Sequence, residues 1–259
     1  MRQSLNLVVL LGGRNIAKTV RAPMMVAVSL LQPVVWLLLF SQTFGALGSG
    51  PQLEDLGYHS YLSFLTPAMV VLSVLFTALQ SGMATVADIS TGMMDKLTAS
   101  PIPRWAVLAA RLYADAVLMV VQTLIVLGIA AAMGASHHTG AGGIALVAVS
   151  AVAFGVIWGC LSNLIALRTR NAELTMVAGF FLTLPVLFLS SAFFPLSLQP
   201  RWIRTVADAN PAAYVITAGQ RLMNAGHAGT AGWHMLAALA ITAAVLVPLT
   251  MRAFRTPAA

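Results

Sequence analysis

The sequence predicts an all-α polytopic membrane protein, and three observations support this fold class. First, 59% of the 259 residues are hydrophobic and only 8% are charged, whereas a typical soluble domain is about 25% charged. Second, the apolar residues form long unbroken runs rather than the short alternating segments of a transmembrane barrel. Third, the basic residues cluster in some connecting segments and avoid others. These features exclude a soluble enzyme, a disordered tail and a free nucleic-acid-binding domain, despite the net charge of +7.

Six apolar runs are long enough, or nearly so, to cross a bilayer of roughly 30 Å. They are Met24–Leu47, Tyr61–Val86, Trp105–Gly134, Gly143–Leu167, Leu174–Phe194 and Trp233–Met251. No short repeat or low-complexity linker separates them. We therefore predict one membrane domain, with an interfacial helix over residues 1–22, a six-span bundle over residues 24–251 and a tail over residues 252–259.

The distribution of Lys and Arg predicts the orientation in the membrane. Eleven basic residues lie in or beside the N-terminal segment, the connection after the second run, the connection after the fourth run and the tail. The other side carries three, Arg201, Arg204 and Arg221. Because cytoplasmic segments are enriched in Lys and Arg, we predict six spans with both termini in the cytoplasm. The preference for Arg over Lys and the many alanines indicate a GC-rich bacterial genome. We therefore predict location in the bacterial cell (inner or plasma) membrane.

The N-terminal segment is predicted to form an amphipathic helix in the cytoplasmic interface. At about 100° per residue, its basic side chains share one face. These are Arg14, Lys18 and Arg21. The pair Gly12–Gly13 predicts a break in this helix, since glycine weakens helices. A simple basic anchor beside the first span is the alternative.

A near-match to the phosphate-binding loop G-x-x-x-x-G-K-[ST] lies in the same segment, at Gly12, Ala17, Lys18 and Thr19. Ala17 replaces the second glycine, and a membrane span follows where a nucleotide-binding domain needs a sheet. We therefore predict no nucleotide or other cofactor in this chain. With one cysteine, and with histidines that have no carboxylate or cysteine partners at ligand spacing, we predict no metal ion. No nucleophile and base share one depth in the spans, so we predict no catalytic residue. If transport is ATP-driven, another chain supplies the ATPase.

Polar side chains inside the runs are candidates for function, because they are costly in lipid. Arg111 and Asp115 lie four residues apart, which predicts a structural ion pair at the start of the third span. A proton or substrate role is the alternative. Uncharged polar residues either line a transport path or bond helices together. Those selected for a path are Gln32, Gln42, Gln80 and Asn163.

Two connections are longer than a simple loop. The polar segment Ala87–Arg104 is predicted to form a short cytoplasmic helix that ends before Pro101. The segment Pro195–Gly232 is still fairly apolar in part. Because irregular backbone at membrane depth must be shielded by protein, we predict a partly re-entrant pair of short helices there.

In the fourth run, Gly155 and Gly159 form a G-x-x-x-G pattern, which predicts a close helix contact.

Two sequence motifs carry a resemblance to a known family. The first begins at Asp88, continues through Gly92 to Ser100–Pro101, and ends at Arg104. The second consists of Phe188, Ser190, Ser191, Phe194 and Pro195, followed by Asn210–Pro211, Tyr214 and Gln220–Arg221. Together they resemble the first cytoplasmic loop and the C-terminal signature of type-2 ABC exporter permeases, closest to the daunorubicin-resistance or antibiotic-export branch. Ala212 departs from the large apolar residue usual there.

The resemblance implies a complex with other chains. A second permease copy, identical or similar, would pair with this one in the lipid bilayer. Two copies of a cytoplasmic ABC ATPase would bind ATP and Mg and dock below. The loop after the second span would carry the coupling helix that contacts the ATPase. The matching residues are Thr91, Gly92, Met93, Met94, Asp95, Lys96, Leu97 and Ser100.

The function implied by the resemblance is ATP-driven export of drugs, antibiotics or other hydrophobic small molecules. Export of a lipid or a lipid-linked glycan is the alternative within the same family. A membrane scaffold or assembly factor without transport, and an intramembrane enzyme, are the alternatives from other classes.

Overall fold

The computed structural model of the protein describes residues 9–17, 23–45, 60–94, 103–135 and 139–255. Within these ranges the regular elements are helices, with no strand, as the sequence predicts. The α-helices are α1 (residues 9–17), α2 (Pro23–Phe44), α3 (Tyr61–Ser90), α4 (Arg104–Ala132), α5 (Ala141–Thr169), α6 (Ala172–Phe188), α7 (Arg201–Ala207), α8 (Pro211–Ala225) and α9 (Thr230–Arg255).

Each of the six apolar runs overlaps with one of these helices. In the described part of the chain, four helices are long and apolar enough to cross a membrane: Tyr61–Ser90, Trp105–Ala132, Ala141–Thr169 and Thr230–Phe254. Two shorter apolar helices are Leu31–Phe44 and Ala172–Phe188. The latter has 17 residues, which gives a length of about 25 Å. The number of spans therefore stays a prediction.

Helix α3 is the centre of the bundle. It packs against α2, α4, α5, α6 and α8, and 89% of its most apolar stretch is buried. Several of its hydroxyl side chains donate to backbone carbonyls about one turn earlier, as Thr66 does to Leu62 and Ser73 does to Val70. Because these groups are satisfied within the helix, they lie in the core without an unpaired donor.

Helices α3, α4 and α5 approach one another closely at glycines. A Cβ on Gly155 of α5 would lie 2.8 Å from Val74 Cβ on α3 and 2.8 Å from Met119 Sδ on α4. On α3, a Cβ on Gly82 would lie 2.6 Å from the backbone oxygen of Ser162. The close contact predicted from the glycine pattern is therefore present at Gly155, where no larger residue fits.

Helices α6 and α9 lie at the periphery and expose large apolar side chains. On α6 these include Leu174, Val177, Phe181 and Phe188, and on α9 they include Trp233, Leu236, Ile241 and Val245. The inward stripe of α9 is narrow and contains Ala231, Met235 and Leu239. Such outward faces suit contact with lipid.

Helix α1 continues through Gly12 and Gly13, so the predicted break is wrong. Gly12 is buried against the start of α4. A Cβ on Gly12 would lie 2.5 Å from Cδ1 of Tyr113 and 3.2 Å from the backbone oxygen of Ala110. The glycine therefore permits close packing of α1 on α4 rather than ending the helix.

The segment after α6 differs from the predicted fifth run. The run extends to Phe194, but α6 ends at Phe188. Turns follow, then a 3-10 helix at Leu196–Leu198, then α7 and α8. Helix α8 packs against α3, α5, α6 and α9. The chain between α6 and α9 is thus partly built into the bundle.

Candidate functional site

The end of α3 leads into the predicted coupling segment. Thr91 caps the helix, since its Oγ1 donates a hydrogen bond of 2.9 Å to the oxygen of Ala87. Gly92 has a φ of +66°, a left-handed conformation that glycine adopts without strain. The chain is helical again at Met93 and Met94. The remaining predicted coupling residues lie outside the described part of the chain: Asp95, Lys96, Leu97 and Ser100.

Helix α1 lies beside this turn. Arg14 Nη1 donates to Met93 Sδ across 3.8 Å, and Gly12 packs on α4 next to Tyr113. Helix α1 and the start of the predicted coupling segment are therefore neighbours. Two other predicted residues of the cationic face, Lys18 and Arg21, lie outside the described residues.

A buried ion pair joins α3 to α4 three residues before Thr91. Arg111 on α4 pairs with Asp88 on α3, and each side chain is 11% exposed. Arg111 Nη1 also donates to the backbone oxygen of Ser81 at 3.1 Å. The predicted ion pair between Arg111 and Asp115 is therefore wrong. Both residues face α3, and each finds its partner on that helix rather than along α4.

The partner of Asp115 is the hydroxyl of Ser81, which donates to Asp115 Oδ2 at 2.5 Å. The same hydroxyl accepts a bond of 2.8 Å from Asn163 Nδ2 on α5. Thr85 donates to Asn163 Oδ1, and Asn163 Nδ2 also reaches the oxygen of Gly159 at 2.8 Å. Side chains of three helices are thus joined around Ser81.

One turn before Ser81 on α3, Thr77 donates to Gln122 Oε1 on α4 at 2.5 Å. We call these joined side chains the interhelical polar network. Its members are Thr77, Ser81, Thr85, Asp88, Arg111, Asp115, Gln122 and Asn163. The α3 members are spaced by four, four and three residues, so they share one face. This spacing is the signal in the sequence for the network, which the predicted helix contacts did not include.

The four predicted path residues do not have similar surroundings. Asn163 is fully buried, Gln32 is half-buried, and Gln42 and Gln80 are exposed. The hydrogen bonds of Asn163 go to members of the network and to a backbone carbonyl, not to the three glutamines. Whether any of the four lines a transport path stays a prediction.

Amide side chains hold the turns that follow α6. Gln199 Nε2 donates to the oxygens of Ser190 and Phe194, at 3.0 and 2.8 Å. Gln220 Nε2 donates to the oxygen of Ser191 at 2.8 Å. Carbonyls without helical partners are costly in an apolar environment. The side chains therefore replace the hydrogen bonds that a longer α6 would have supplied.

Asn210 completes this arrangement. Its Oδ1 accepts from the backbone nitrogen of Ala212 at 3.0 Å and so caps α8. Its Nδ2 donates to the oxygens of Val186 and Leu189, at 2.6 and 2.9 Å. The motif residues Asn210 and Gln220 thus have a structural role that the resemblance did not specify. Gln199 was missed, because nothing local marks it as the partner of a distant carbonyl.

Among the described residues, no three His, Cys, Asp or Glu side chains are grouped so that they could hold a metal ion.

The apolar helices, the buried network and the side-chain-bonded turns define a multi-pass α-helical membrane protein. A family model described as an ABC-2 type transporter matches residues 6–223. The chain therefore belongs to the ABC-2 type transporter family and is a permease subunit of an ABC transporter. The relatives below carry permease names as well.

Three relatives illustrate the similarity. The daunorubicin resistance ABC transporter permease protein DrrB1 of Streptomyces coeruleorubidus is 28% identical over 87% of this chain and 77% of its own length. The putative transport permease ycf38 of Cyanophora paradoxa is 27% identical over 76% of this chain and 67% of its own length. The probable doxorubicin resistance ABC transporter permease protein DrrC of Mycobacterium tuberculosis is 23% identical over 73% of this chain and 67% of its own length.

Proposed function

We propose that the chain is the permease of an ATP-driven exporter that moves drugs, antibiotics or other hydrophobic small molecules out across the bacterial cell membrane. Family membership supports the permease role. The names of two relatives refer to resistance to daunorubicin and doxorubicin, which supports the substrate class. The ATPase is a separate subunit, and ATP and Mg bind there.

The proposed assembly contains two permease copies and two ATPase subunits. Each permease has six spans, formed by α2, α3, α4, α5, α6 and α9, with both termini in the cytoplasm. Helix α2 has 22 residues and is about 33 Å long, which suffices for a span. Helix α6 is shorter, and the turns after it extend its reach. Residues 1–22, 24–251 and 252–259 are the interfacial helix, bundle and tail of one domain.

One observation carries the mechanistic part of the proposal: the Arg111–Asp88 ion pair lies directly before the predicted coupling segment. In the proposed mechanism, ATP closes the ATPase dimer and moves residues 91–100. The buried helix α3 moves with them, because it continues from Thr91 into the core. The ion pair and the network make α4 and α5 follow α3. The spans then alternate between inward-facing and outward-facing arrangements.

The topology is tested by cysteine labelling in intact cells. We expect cysteines at Ala141 and Ala228, in a Cys160→Ala background, to react with a membrane-impermeant maleimide from outside. A cysteine at the exposed Ala172 is the matched control and should react only after permeabilisation. The reverse pattern contradicts the proposed orientation.

The function is tested with the complex in lipid. The chain is purified with the ATPase encoded beside its gene, and its subunit ratio is determined by native mass spectrometry. We expect daunorubicin, used as a probe, to stimulate ATP hydrolysis and to be transported in an ATP-dependent manner. A complex with one permease copy and no other membrane subunit contradicts the assembly. Absence of transport for a panel of hydrophobic drugs contradicts the function.

A further inference from the structure

A polar pocket lies where α8 meets the turns after α6. Its volume is about 500 Å³, and its lining includes Ser191, Thr217, Gln220, Arg221, Asn224 and His227. We call it the α8 pocket. It lies at the end of the bundle where α3 begins, since Gln220 bonds the backbone oxygen of Phe64. The interhelical polar network lies toward the opposite end of α3.

Two side chains that line this pocket, Gln220 and Asn224, each have a buried amide oxygen without a hydrogen-bond partner. Gln220 is fully buried, and its Nε2 donates to the oxygens of Phe64 and Ser191. Carbonyls only accept, so the amide nitrogen must face them and Oε1 is left unpaired. Asn224 is 3% exposed. Its Nδ2 donates to the oxygen of Gln220 at 2.9 Å, and its Oδ1 is also unpaired.

Unpaired buried acceptors are uncommon in folded proteins, because each loses its hydrogen bonds to water without replacement. Two of them, one turn apart on α8 beside a cavity, indicate a site that receives hydrogen-bond donors. Asn224 is held by one hydrogen bond and Gln220 by two. The Asn224 amide can therefore turn its oxygen toward a ligand more easily, so it is the first contact expected.

The charge of the lining narrows the chemistry of the ligand. Arg221 is exposed at the pocket, and the described lining residues include no carboxylate. An ammonium group suits the two amide oxygens but is repelled by Arg221. An anion suits Arg221 but is repelled by the amide oxygens. A hydroxyl suits both, since it donates to an amide oxygen and accepts from a guanidinium.

We propose that the α8 pocket binds a neutral, hydroxyl-bearing group, such as the sugar or polyol part of a transported compound. The proposal rests on the proposed export function, because it specifies one part of the substrate. One hydroxyl donates to the oxygen of Asn224, whose amide turns toward the pocket, and another accepts from Arg221. The apolar remainder of the compound lies outside this pocket.

The test measures protection of a cysteine at the pocket. Ala225 lines the pocket and is exposed, so the full-length Ala225→Cys variant in a Cys160→Ala background is labelled with a maleimide in membrane vesicles. The probes are phenyl β-D-glucoside and its tetra-O-methyl derivative, which lacks hydroxyl donors. We expect only the glucoside to slow labelling. A cysteine at the exposed Ala209, outside the pocket, is the control and should be unaffected.

Substitution of Asn224 sharpens the test. Asn224→Leu should raise the glucoside concentration needed for half-protection about tenfold, the usual effect of losing one good hydrogen bond to a buried group. Asn224→Asp keeps an acceptor and should retain protection. Equal protection by both probes, or none by either, overturns the proposal. Protection by inorganic phosphate alone does so as well and indicates an anion site at Arg221.

This experiment is separable from the test of export. Labelling needs neither ATP nor the ATPase. Failure of the glucoside to protect therefore overturns the ligand assignment and leaves drug transport to be judged in the reconstituted complex. Conversely, if the glucoside protects the cysteine but the complex transports no drug, the ligand assignment of the pocket stands and the proposed function is contradicted.

Discussion

The two ends of α3 differ in how their polar groups are paired. Near Thr91, charged and hydroxyl side chains on α3 bond to side chains on α4 and α5. Near Tyr61, amide side chains bond instead to backbone carbonyls of the turns after α6. At this second end three amide oxygens have no partner, those of Gln199, Gln220 and Asn224.

This difference separates two physical tasks. Bonds between side chains of neighbouring helices link those helices and oppose movement of one past another. Such links suit the transmission of a displacement from one end of the bundle. Bonds from side chains to a turn hold local backbone only, and unpaired acceptors can gain energy from a ligand. The second end therefore suits binding better than transmission.

The largest effect is expected for loss of the charge pair. Arg111→Leu leaves the buried Asp88 without its arginine, and removing one partner of a buried pair typically costs about 3–5 kcal/mol. We expect a marked fall in the unfolding temperature of the detergent-purified protein and loss of export.

The control is the double variant Arg111→Leu with Asp88→Leu. Replacing both members of a buried pair by apolar residues is often neutral, so the double variant should recover most of the stability without recovering export. A single variant as stable as the unmodified protein would show that the pair does not link α3 to α4.

The next prediction concerns the coupling segment beyond Met94. Leu97→Asp should place an unpaired charge in the proposed ATPase interface. Losing a central apolar anchor costs about 2 kcal/mol or more of binding, roughly thirtyfold in affinity. Export and drug-stimulated ATP hydrolysis should be lost, while membrane insertion is unchanged. Leu97→Met conserves volume and should remain active. Equal export by the Asp variant at matched membrane levels would indicate a solvated loop.

A smaller effect is expected for Gln220→Met at the other end of α3. The change removes the donor to the Ser191 oxygen, which costs about 1–3 kcal/mol, but it also removes an unpaired oxygen. The net loss of stability should therefore lie near the lower limit of that range. It is measured as a shift in the thermal unfolding temperature. Gln80→Met, on the exposed surface, serves as the control and should leave the unfolding temperature unchanged. A Gln220 variant with no shift would argue against side-chain support of the turns.

The smallest effects are expected when an asparagine is replaced by leucine in each of the two regions, Asn163 in the network and Asn224 at the α8 pocket. Asn163→Leu removes hydrogen bonds within the network and should destabilise, by about 0.6 kcal/mol on average for such bonds in membrane proteins. Asn224→Leu removes one hydrogen bond to a carbonyl of its own helix together with an unpaired oxygen, so it should leave stability nearly unchanged. Differential scanning fluorimetry of the two variants side by side compares them directly. A stability loss at Asn224 as large as that at Asn163 would remove the distinction between the two ends.

The fold class was readable from the sequence, but the positions of the helices in the bundle were not. Helices α3 and α9 are both long and apolar, yet 89% of the most apolar stretch of α3 is buried, against 11% for α9. An apolar helix is stable either in a core or in lipid, so apolarity alone does not distinguish them. The regular spacing of Thr77, Ser81 and Thr85 does distinguish the two helices, because hydroxyls on one face can also bond polar side chains of neighbouring helices, as these do.

The partners of polar side chains and the end of α6 were also not predictable from local sequence patterns. Periodicity placed Arg111 and Asp115 on one face but could not show which helix that face meets. It also could not show that α6 ends at Phe188, because the apolar run continues to Phe194 with only Ser190 and Ser191 as polar residues. The end of the helix is stabilised by amide side chains much later in the chain, which bond the free carbonyls. Pairing over such distances depends on the tertiary fold, which local patterns do not report.

The bonding of the turns after α6 has a consequence for biogenesis. The carbonyls of Ser190 and Ser191 depend on Gln199 and Gln220, which the ribosome adds only later. At about 5–20 residues per second, the wait from Ser191 to Gln220 is on the order of seconds. During that interval the emerging segment has no protein partner for these groups, and hydrocarbon offers none. It must therefore remain in the hydrated insertion channel or at the headgroup boundary until α8 has been synthesised.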